Sequence, residues 1–94
     1  MNVRWTRRAV LALTTIRDTI AKDNVSAAND LWLRVRSYVE MTLMSHPLIG
    51  RPGRVTGTRE SIVHPNYIIV YRVTGDVIEI LTVRHVARKW PNQF

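Results

Sequence analysis

The chain has 94 residues, of which 46% are hydrophobic, and it contains only four glycines and four prolines. This composition excludes a disordered polypeptide, and the length suits one compact domain over residues 1–94, which can bury roughly 60 to 65 per cent of its unfolded surface. Fourteen Lys and Arg residues against seven Asp and Glu give a formal net charge of +7, and nearly all of the cations are arginine. Such a charge favours polyanions or an acidic protein as partners.

The chain contains no cysteine, which excludes disulfides and thiolate zinc sites and fits a reducing compartment. Near the start, the longest apolar run is Ala9 to Leu13. This run is too short for a signal peptide or a membrane span. We therefore expect a cytoplasmic protein with no membrane association.

Two helices are predicted in the first half of the chain. Thr6 is a plausible N-cap, and it precedes apolar residues at helical spacing: Ala9, Leu13, Ile16 and Ile20. Either Asn24 or Ser26 caps the second helix, whose expected inner face carries Ala28, Leu31, Val35, Tyr38 or Val39, and Thr42. The connection is so short that the two helices should pack as an antiparallel hairpin.

A loop and a strand-rich segment follow the helices. His46 to Thr58 holds two of the four prolines and three of the four glycines together with Arg51 and Arg54, and we call it the arginine loop. Three β-rich stretches then follow: Glu60 to Val63, Tyr67 to Val73 and Val77 to Arg84. We expect an α+β fold in which the helix hairpin packs on an antiparallel sheet formed by these strands and residues 3–5.

Three pieces of sequence, in this order, resemble the signature of the RelE/ParE family of toxins: Arg51-Pro52-Gly53-Arg54-Val55-Thr56-Gly57-Thr58-Arg59-Glu60, Tyr67-Ile68-Ile69-Val70-Tyr71-Arg72-Val73 and Val77-Ile78-Glu79-Ile80-Leu81. With the two preceding helices, the likeness covers nearly the whole chain. The resemblance implies the toxin of a type II toxin-antitoxin system, a growth inhibitor neutralised in a hetero-oligomer with a cognate antitoxin. It implies no cofactor.

The family divides by target, and two positions favour the ParE branch. The branch that cleaves messenger RNA on the ribosome typically carries an arginine in the third strand, where this chain has Ile68. Val83-Arg84-His85-Val86-Ala87-Arg88 resembles the Val-x-His-x-x-Arg ending of the ParE branch, which inhibits DNA gyrase. The resemblance thus favours a gyrase inhibitor over an enzyme, with a metal-independent, ribosome-dependent mRNA interferase as the alternative.

Among the three histidines, His85 is the strongest candidate for chemistry. Its imidazole could act as a general base or acid on a ribose hydroxyl, with Arg84 and Arg88 holding a phosphate. The alternative is a strand-end histidine that only bonds the backbone. His46 and His64 each precede a proline and are expected to be structural, and the three histidines are not spaced as a local metal-binding motif.

The remaining candidates are basic and aromatic side chains that would contact the target or the antitoxin. They are Arg51, Arg54, Arg59, Arg72, Lys89 and Trp90. The loop arginines could equally be a solvated surface, and Arg72 could form a cross-strand ion pair with Glu79. Trp5 and Trp32 are expected to pack on the first strand and second helix.

Overall fold

The structure is a computed structural model, and it describes residues 1–87. In chain order its elements are β1 (Asn2–Trp5), α1 (Arg7–Ala21), α2 (Val25–Ser37), a π-helix (Tyr38–Leu43), β2 (Arg51–Pro52), β3 (Arg59–His64), β4 (Tyr67–Thr74) and β5 (Val77–His85). No helix within these residues is long and apolar enough to cross a membrane.

Each α-helix begins at a polar side chain that caps it. The Thr6 hydroxyl accepts the Ala9 N–H at 3.1 Å and also donates to the Ile80 carbonyl at 2.7 Å, which joins the start of α1 to β5. The Asn24 side chain accepts the Ala27 N–H at 2.9 Å. The predicted Thr6 cap is confirmed, and of the two candidates for the second helix, Asn24 is the cap.

The inner face of the second helix differs from the prediction at its end. Its buried residues are Ala28, Leu31, Val35, Val39 and Leu43, so Leu43 takes the place expected for Thr42, which is half-buried. The last three steps are of four residues, which suits the wider turn of the π-helix, where the Met44 N–H donates to the Val39 carbonyl. A prediction that assumes the α-helical period of about 3.6 residues therefore names Thr42 instead of Leu43 as the last buried residue.

The described strands form one five-stranded sheet in the order β1-β5-β4-β3-β2. Strands β2 to β5 pair antiparallel, as predicted, but β1 pairs parallel to β5, so the expectation of a wholly antiparallel sheet was wrong. A parallel pair needs a long crossover, and here the helices and three strands lie between its members. The expected α+β class, with two helices packed on a sheet, is confirmed.

The helices cover one face of the sheet. The main core joins residues of both helices, including Leu13 and Val35, to sheet residues such as Ile69, Tyr71 and Ile80. A smaller cluster of Ile68, Val70 and Leu81, with Val86 packed against it, occupies the other face. Since neighbouring residues of a strand point to opposite faces, this division follows from the alternation along β4.

Candidate functional site

Three rings lie in a row at one end of the sheet. His64 ends β3, Tyr67 begins β4 and His85 ends β5, and the register pairs Tyr67 with both histidines. The ring centroids of His64 and Tyr67 are 5.5 Å apart, and those of Tyr67 and His85 are 5.3 Å apart in an edge-on contact. The fold therefore brings His85 and His64 to one end of the sheet, although no spacing in the sequence groups them.

Both histidines of this row use the same ring nitrogen for a local contact. The Asn66 N–H donates to His64 Nδ1 at 3.0 Å, and the Ala87 N–H donates to His85 Nδ1 at 3.1 Å. A neutral imidazole that accepts at Nδ1 carries its proton on Nε2, so each ring presents a donor at its far side. Partial burial, followed by the charge of Arg34, lowers the pKa of His64 from its ordinary value.

His85 also lines a groove between α1 and the sheet. The groove has a volume of about 320 Å³, and its walls include Leu11, Thr15, Tyr67 and Val83. Its lining combines apolar and hydroxyl-bearing side chains with the imidazole of His85 and with Arg84. Such a surface can hold a partner side chain, but in residues 1–87 no group of three metal-ligating side chains is close enough to hold a metal ion.

The side chains of Ile68 and His85 point to opposite faces of the sheet. Ile68 is 1% exposed in the cluster on the sheet face opposite the helices and is in register with Arg84. His85 is in register with Tyr67, one residue away, and so faces the opposite side. His85 and the site of the absent arginine therefore lie on different faces of the sheet.

Two arginines of the arginine loop meet at a buried carboxylate. Arg51 Nη2 donates to Glu60 Oε1 at 3.1 Å, and Arg54 Nε lies 3.6 Å from the same oxygen. The Arg54 backbone N–H donates to Glu60 Oε2 at 2.7 Å. The Glu60 side chain is 1% exposed, whereas those of Arg51 and Arg54 are 54% and 44% exposed.

The rest of the arginine loop is held by side chains of β3 and β4. Arg59 Nη1 donates to the Gly50 carbonyl at 2.8 Å, and the Tyr71 hydroxyl accepts the Gly50 N–H at 2.9 Å. The Gly53 N–H donates to the Thr58 carbonyl at 2.7 Å. Arg59, which was predicted to contact a partner, thus bonds the backbone of the loop from β3.

Sequence reasoning missed the part that Glu60 plays in this arrangement. From the sequence, Glu60 was expected only to end the family-like stretch and to begin a β-rich one. A simple signal was present, because Glu60 is the one carboxylate in the sequence between Glu40 and Asp76, within a segment that carries four arginines. A lone acid among so many cations is a natural place for a buried ion pair.

The expected pair between Arg72 and Glu79 is present on the sheet face opposite the helices. Arg72 Nη2 donates to Glu79 Oε1 at 2.8 Å, and Arg4 of β1 bonds the other oxygen of the same carboxylate. The two arginines and Glu79 occupy one row across β1, β5 and β4. Arg72 is thus part of a cross-strand ion pair, whatever else it contacts.

The remaining candidates divide between packing positions and residues that the structure does not describe. Trp5 and Trp32 pack against the main core, each with an arginine guanidinium over its ring, as expected for structural residues. His46 lies in an exposed turn, where its carbonyl accepts the Ile49 N–H. Arg88, Lys89 and Trp90 lie outside the described residues.

The amino-acid sequence and the fold are both similar to those of other proteins. Residues 3–90 match the model of the family described as the ParE toxin of the type II toxin-antitoxin system parDE. The chain is 43% identical over 90 residues to toxin Y4kP of Sinorhizobium fredii, covering 95% of this chain and 92% of that protein. It is 38% identical over 86 residues to toxin RelE2 of Caulobacter vibrioides, covering 92% and 96%.

Two solved structures share the fold over nearly their whole length. One comes from the chromosomal ParDE toxin-antitoxin system of P. aeruginosa, with a TM-score of 0.72, 26% identity and coverage of 92% of this chain and 96% of that one. The other comes from the toxin-antitoxin complex RelBE2 of Mycobacterium tuberculosis, with a TM-score of 0.64, 26% identity and coverage of 89% and 95%. The family model and both relatives extend over more than nine tenths of the sequence. The chain belongs to the ParE toxin family of type II toxin-antitoxin systems.

Proposed function

We propose that this chain is a toxin that inhibits DNA gyrase by binding it and that no residue of the chain performs chemistry. The observation that carries the proposal is the burial of Ile68 in an apolar cluster, at the position where the RNA-cleaving branch of the family typically carries an arginine. In that role the arginine stabilises the charge that develops during phosphoryl transfer, and an isoleucine cannot. Losing one such donor costs an enzyme about two to three powers of ten in rate.

The surroundings of His85 support the same proposal. A general base must offer a lone pair to the proton it removes, and the Nδ1 lone pair of His85 already accepts the Ala87 N–H. The Nε2–H that remains is a hydrogen-bond donor, suited to a carbonyl or carboxylate of a protein target. We assign His85, with Arg84, Arg88, Lys89 and Trp90, to target contacts.

One observation favours the nuclease as a second candidate. His85 is half-buried rather than inaccessible, it touches the ring of Tyr67, and Arg84 lines the same groove. A rotated imidazole beside a phenol and a guanidinium could serve a ribose hydroxyl and a phosphate. This arrangement would work without a metal.

The experiment that separates the two candidates uses the purified chain in two assays. One assay follows supercoiling by gyrase, and the other follows cleavage of messenger RNA on translating ribosomes. A gyrase inhibitor should block supercoiling and leave the message intact, and His85→Gln should keep much of the potency because glutamine still donates a hydrogen bond. Ribosome-dependent cleavage that His85→Gln abolishes would overturn the proposal and establish the nuclease.

We also propose an acidic antitoxin as the partner that neutralises the toxin. The net charge of +7 supports it, as do the solved relatives, which come from toxin-antitoxin systems. Co-expression with the product of the adjacent gene should give a stable complex, and added salt should slow association more than it weakens the final complex. A chain that folds and stays monomeric under co-expression would contradict this partner.

A further inference from the structure

We propose that the arginine loop is the surface that receives an acidic, partly apolar segment of the antitoxin and that Glu60 positions its two outer arginines. This inference rests on the proposed partner and goes beyond it by naming the surface. Arg51 and Arg54 form the cationic centre of the surface. The side chain of each is about half exposed and contacts the buried carboxylate of Glu60.

The backbone of the loop is held in place before any partner arrives. The Gly50 N–H is bonded to the Tyr71 hydroxyl, the Gly50 carbonyl to Arg59, and the Gly53 N–H to the Thr58 carbonyl. A Cβ at Gly50 would lie 2.6 Å from the Tyr71 oxygen, so the backbone passes as close to β4 as a glycine allows. A loop fixed in this way loses little conformational entropy when it binds.

Glu60 brings two guanidinium groups together that would otherwise repel each other. Both contact the same carboxylate oxygen, at 3.1 Å for Arg51 and 3.6 Å for Arg54. One negative charge between two positive charges leaves the cluster at +1. A planar guanidinium can bond a second carboxylate through the donors that face away from the first, and such charge-assisted bonds are among the stronger ones at interfaces.

The surroundings of the two arginines favour a protein segment over nucleic acid. Leu48 and Ile49, in the same loop, are 61% and 54% exposed. Leu48 also lines an open cavity of about 470 Å³, whose walls combine Pro52 and Val73 with the polar side chains of Thr58 and Arg59. A phosphate backbone has no apolar group to cover the exposed Leu48 and Ile49, whereas an acidic segment with an aliphatic or aromatic residue matches both the charge and these apolar side chains.

Glu60 acts through the arginines and not by touching the partner, because its carboxylate is buried. Its bond to the Arg54 N–H fixes the backbone there, and its second oxygen fixes the two guanidinium groups. Without its charge the two arginines would separate. We therefore expect Glu60→Gln to weaken antitoxin binding as a consequence of losing the arrangement of Arg51 and Arg54.

The test measures association and dissociation of the purified chain with the product of the adjacent gene. The variants are Arg51→Gln with Arg54→Gln, Glu60→Gln, and a charge-matched control, Arg7→Gln with Lys22→Gln, which also removes two exposed cations. We expect the loop double variant to bind about tenfold more weakly or worse and the control to change affinity by less than about threefold. Each variant is measured well below its unfolding temperature.

A double-mutant cycle separates positioning from a loss of stability. If Glu60 works through the arginines, Glu60→Gln should weaken binding in the wild-type background and have little further effect once Arg51 and Arg54 are glutamine. Equal losses in both backgrounds, or tighter binding by Glu60→Gln, would overturn the positioning role. The Arg54 amide resonance, followed by NMR, should shift in Glu60→Gln because its acceptor loses its charge.

The remaining outcomes distinguish this inference from the proposed function. If wild type binds the adjacent gene product and the loop double variant binds equally well, the surface is wrong while the partner stands. If wild type does not bind that product, both fail. If the loop double variant loses affinity only for a DNA duplex or a ribosomal RNA fragment, the loop is a nucleic-acid surface and the inference is overturned.

Discussion

Arg72 and Glu79 face each other across β4 and β5, with Arg72 Nη2 donating to Glu79 Oε1 at 2.8 Å. Arg4 approaches the same carboxylate from β1, so Glu79 joins three strands. We predict that Glu79→Gln lowers the free energy of unfolding by about 1 kcal/mol, since two guanidinium groups lose a largely buried counterion. Arg72→Gln should cost about 0.5 kcal/mol or less because its side chain is nearly half exposed.

Urea unfolding of the single variants and of the double variant measures both effects. The cost of Arg72→Gln should shrink when Glu79 is already glutamine, because the partner charge is gone. Equal costs in both backgrounds would mean that the ion pair adds nothing to stability.

Tyr71 and Gly50 form a second pair whose removal can be predicted. The Tyr71 hydroxyl is buried and accepts the Gly50 N–H, so Tyr71→Phe should leave a buried donor without an acceptor and cost about 1 to 3 kcal/mol. Gly50→Ala should also destabilise, and Tyr71→Phe should not rescue it, because the added Cβ would still lie 2.9 Å from the Glu60 carbonyl oxygen. Denaturant titration of the two single variants and the double variant checks this, and full rescue would show that the hydroxyl is the sole obstacle.

Tyr71 also predicts a loss of stability at high pH. Burial is the largest effect on this phenol and raises its pKa above the ordinary 10. The folded state therefore keeps the proton that the unfolded state releases, so the contribution is intact below pH 10 and is lost as pH rises above it through the folded pKa. The free energy of unfolding should fall less steeply above pH 10 in Tyr71→Phe than in wild type, and parallel curves would contradict the role of Tyr71.

For His64 we predict that the free energy of unfolding falls as the pH is lowered below 6.5. Burial first, and then the charge of Arg34, lower the pKa of His64 below the ordinary 6.5. The unfolded state therefore binds the proton more readily, and the contribution of His64 is present above pH 6.5 and lost as pH falls through the folded pKa. NMR titration should place the midpoint of His64 below 6.5, and Arg34→Gln should raise it part of the way. If Arg34→Gln does not change the midpoint of His64, burial alone lowers its pKa and the predicted effect of Arg34 is wrong.

The sequence predicted most elements because their signals are local. The change of period after Thr58 located β3 to β5, and Thr6 located the start of α1. The Arg72–Glu79 pair could be foreseen because the turn at residues 74–76 fixes the register of the strands it joins.

The features that sequence reasoning missed depend on contacts between distant segments. The direction of β1 relative to β5 leaves no mark on the period of residues 2–5, and β2 is only two residues long and contains Pro52. The burial of Glu60 arises when the arginine loop folds back on β3 and β4. The row of His64, Tyr67 and His85 required the register of three strands, which no spacing in the sequence displays.

Ile68 offers the most direct test of the branch to which the toxin belongs. Ile68→Arg would restore the residue that the RNA-cleaving branch carries, but the side chain would enter a cluster in which Ile68 is 1% exposed and Val70 is fully buried. It would also lie in register with Arg84, so that like charges oppose each other across the strands. We predict that Ile68→Arg lowers the free energy of unfolding by about 3 kcal/mol or more because of the buried charge, against about 0.5 to 1.5 kcal/mol for the control Ile68→Val.

No ribosome-dependent cleavage should appear in Ile68→Arg, because His85 faces the other side of the sheet. Unfolding curves and the cleavage assay check the two statements separately. A stable Ile68→Arg protein that cuts messenger RNA would mean that this face can support the chemistry and that one residue separates the two branches.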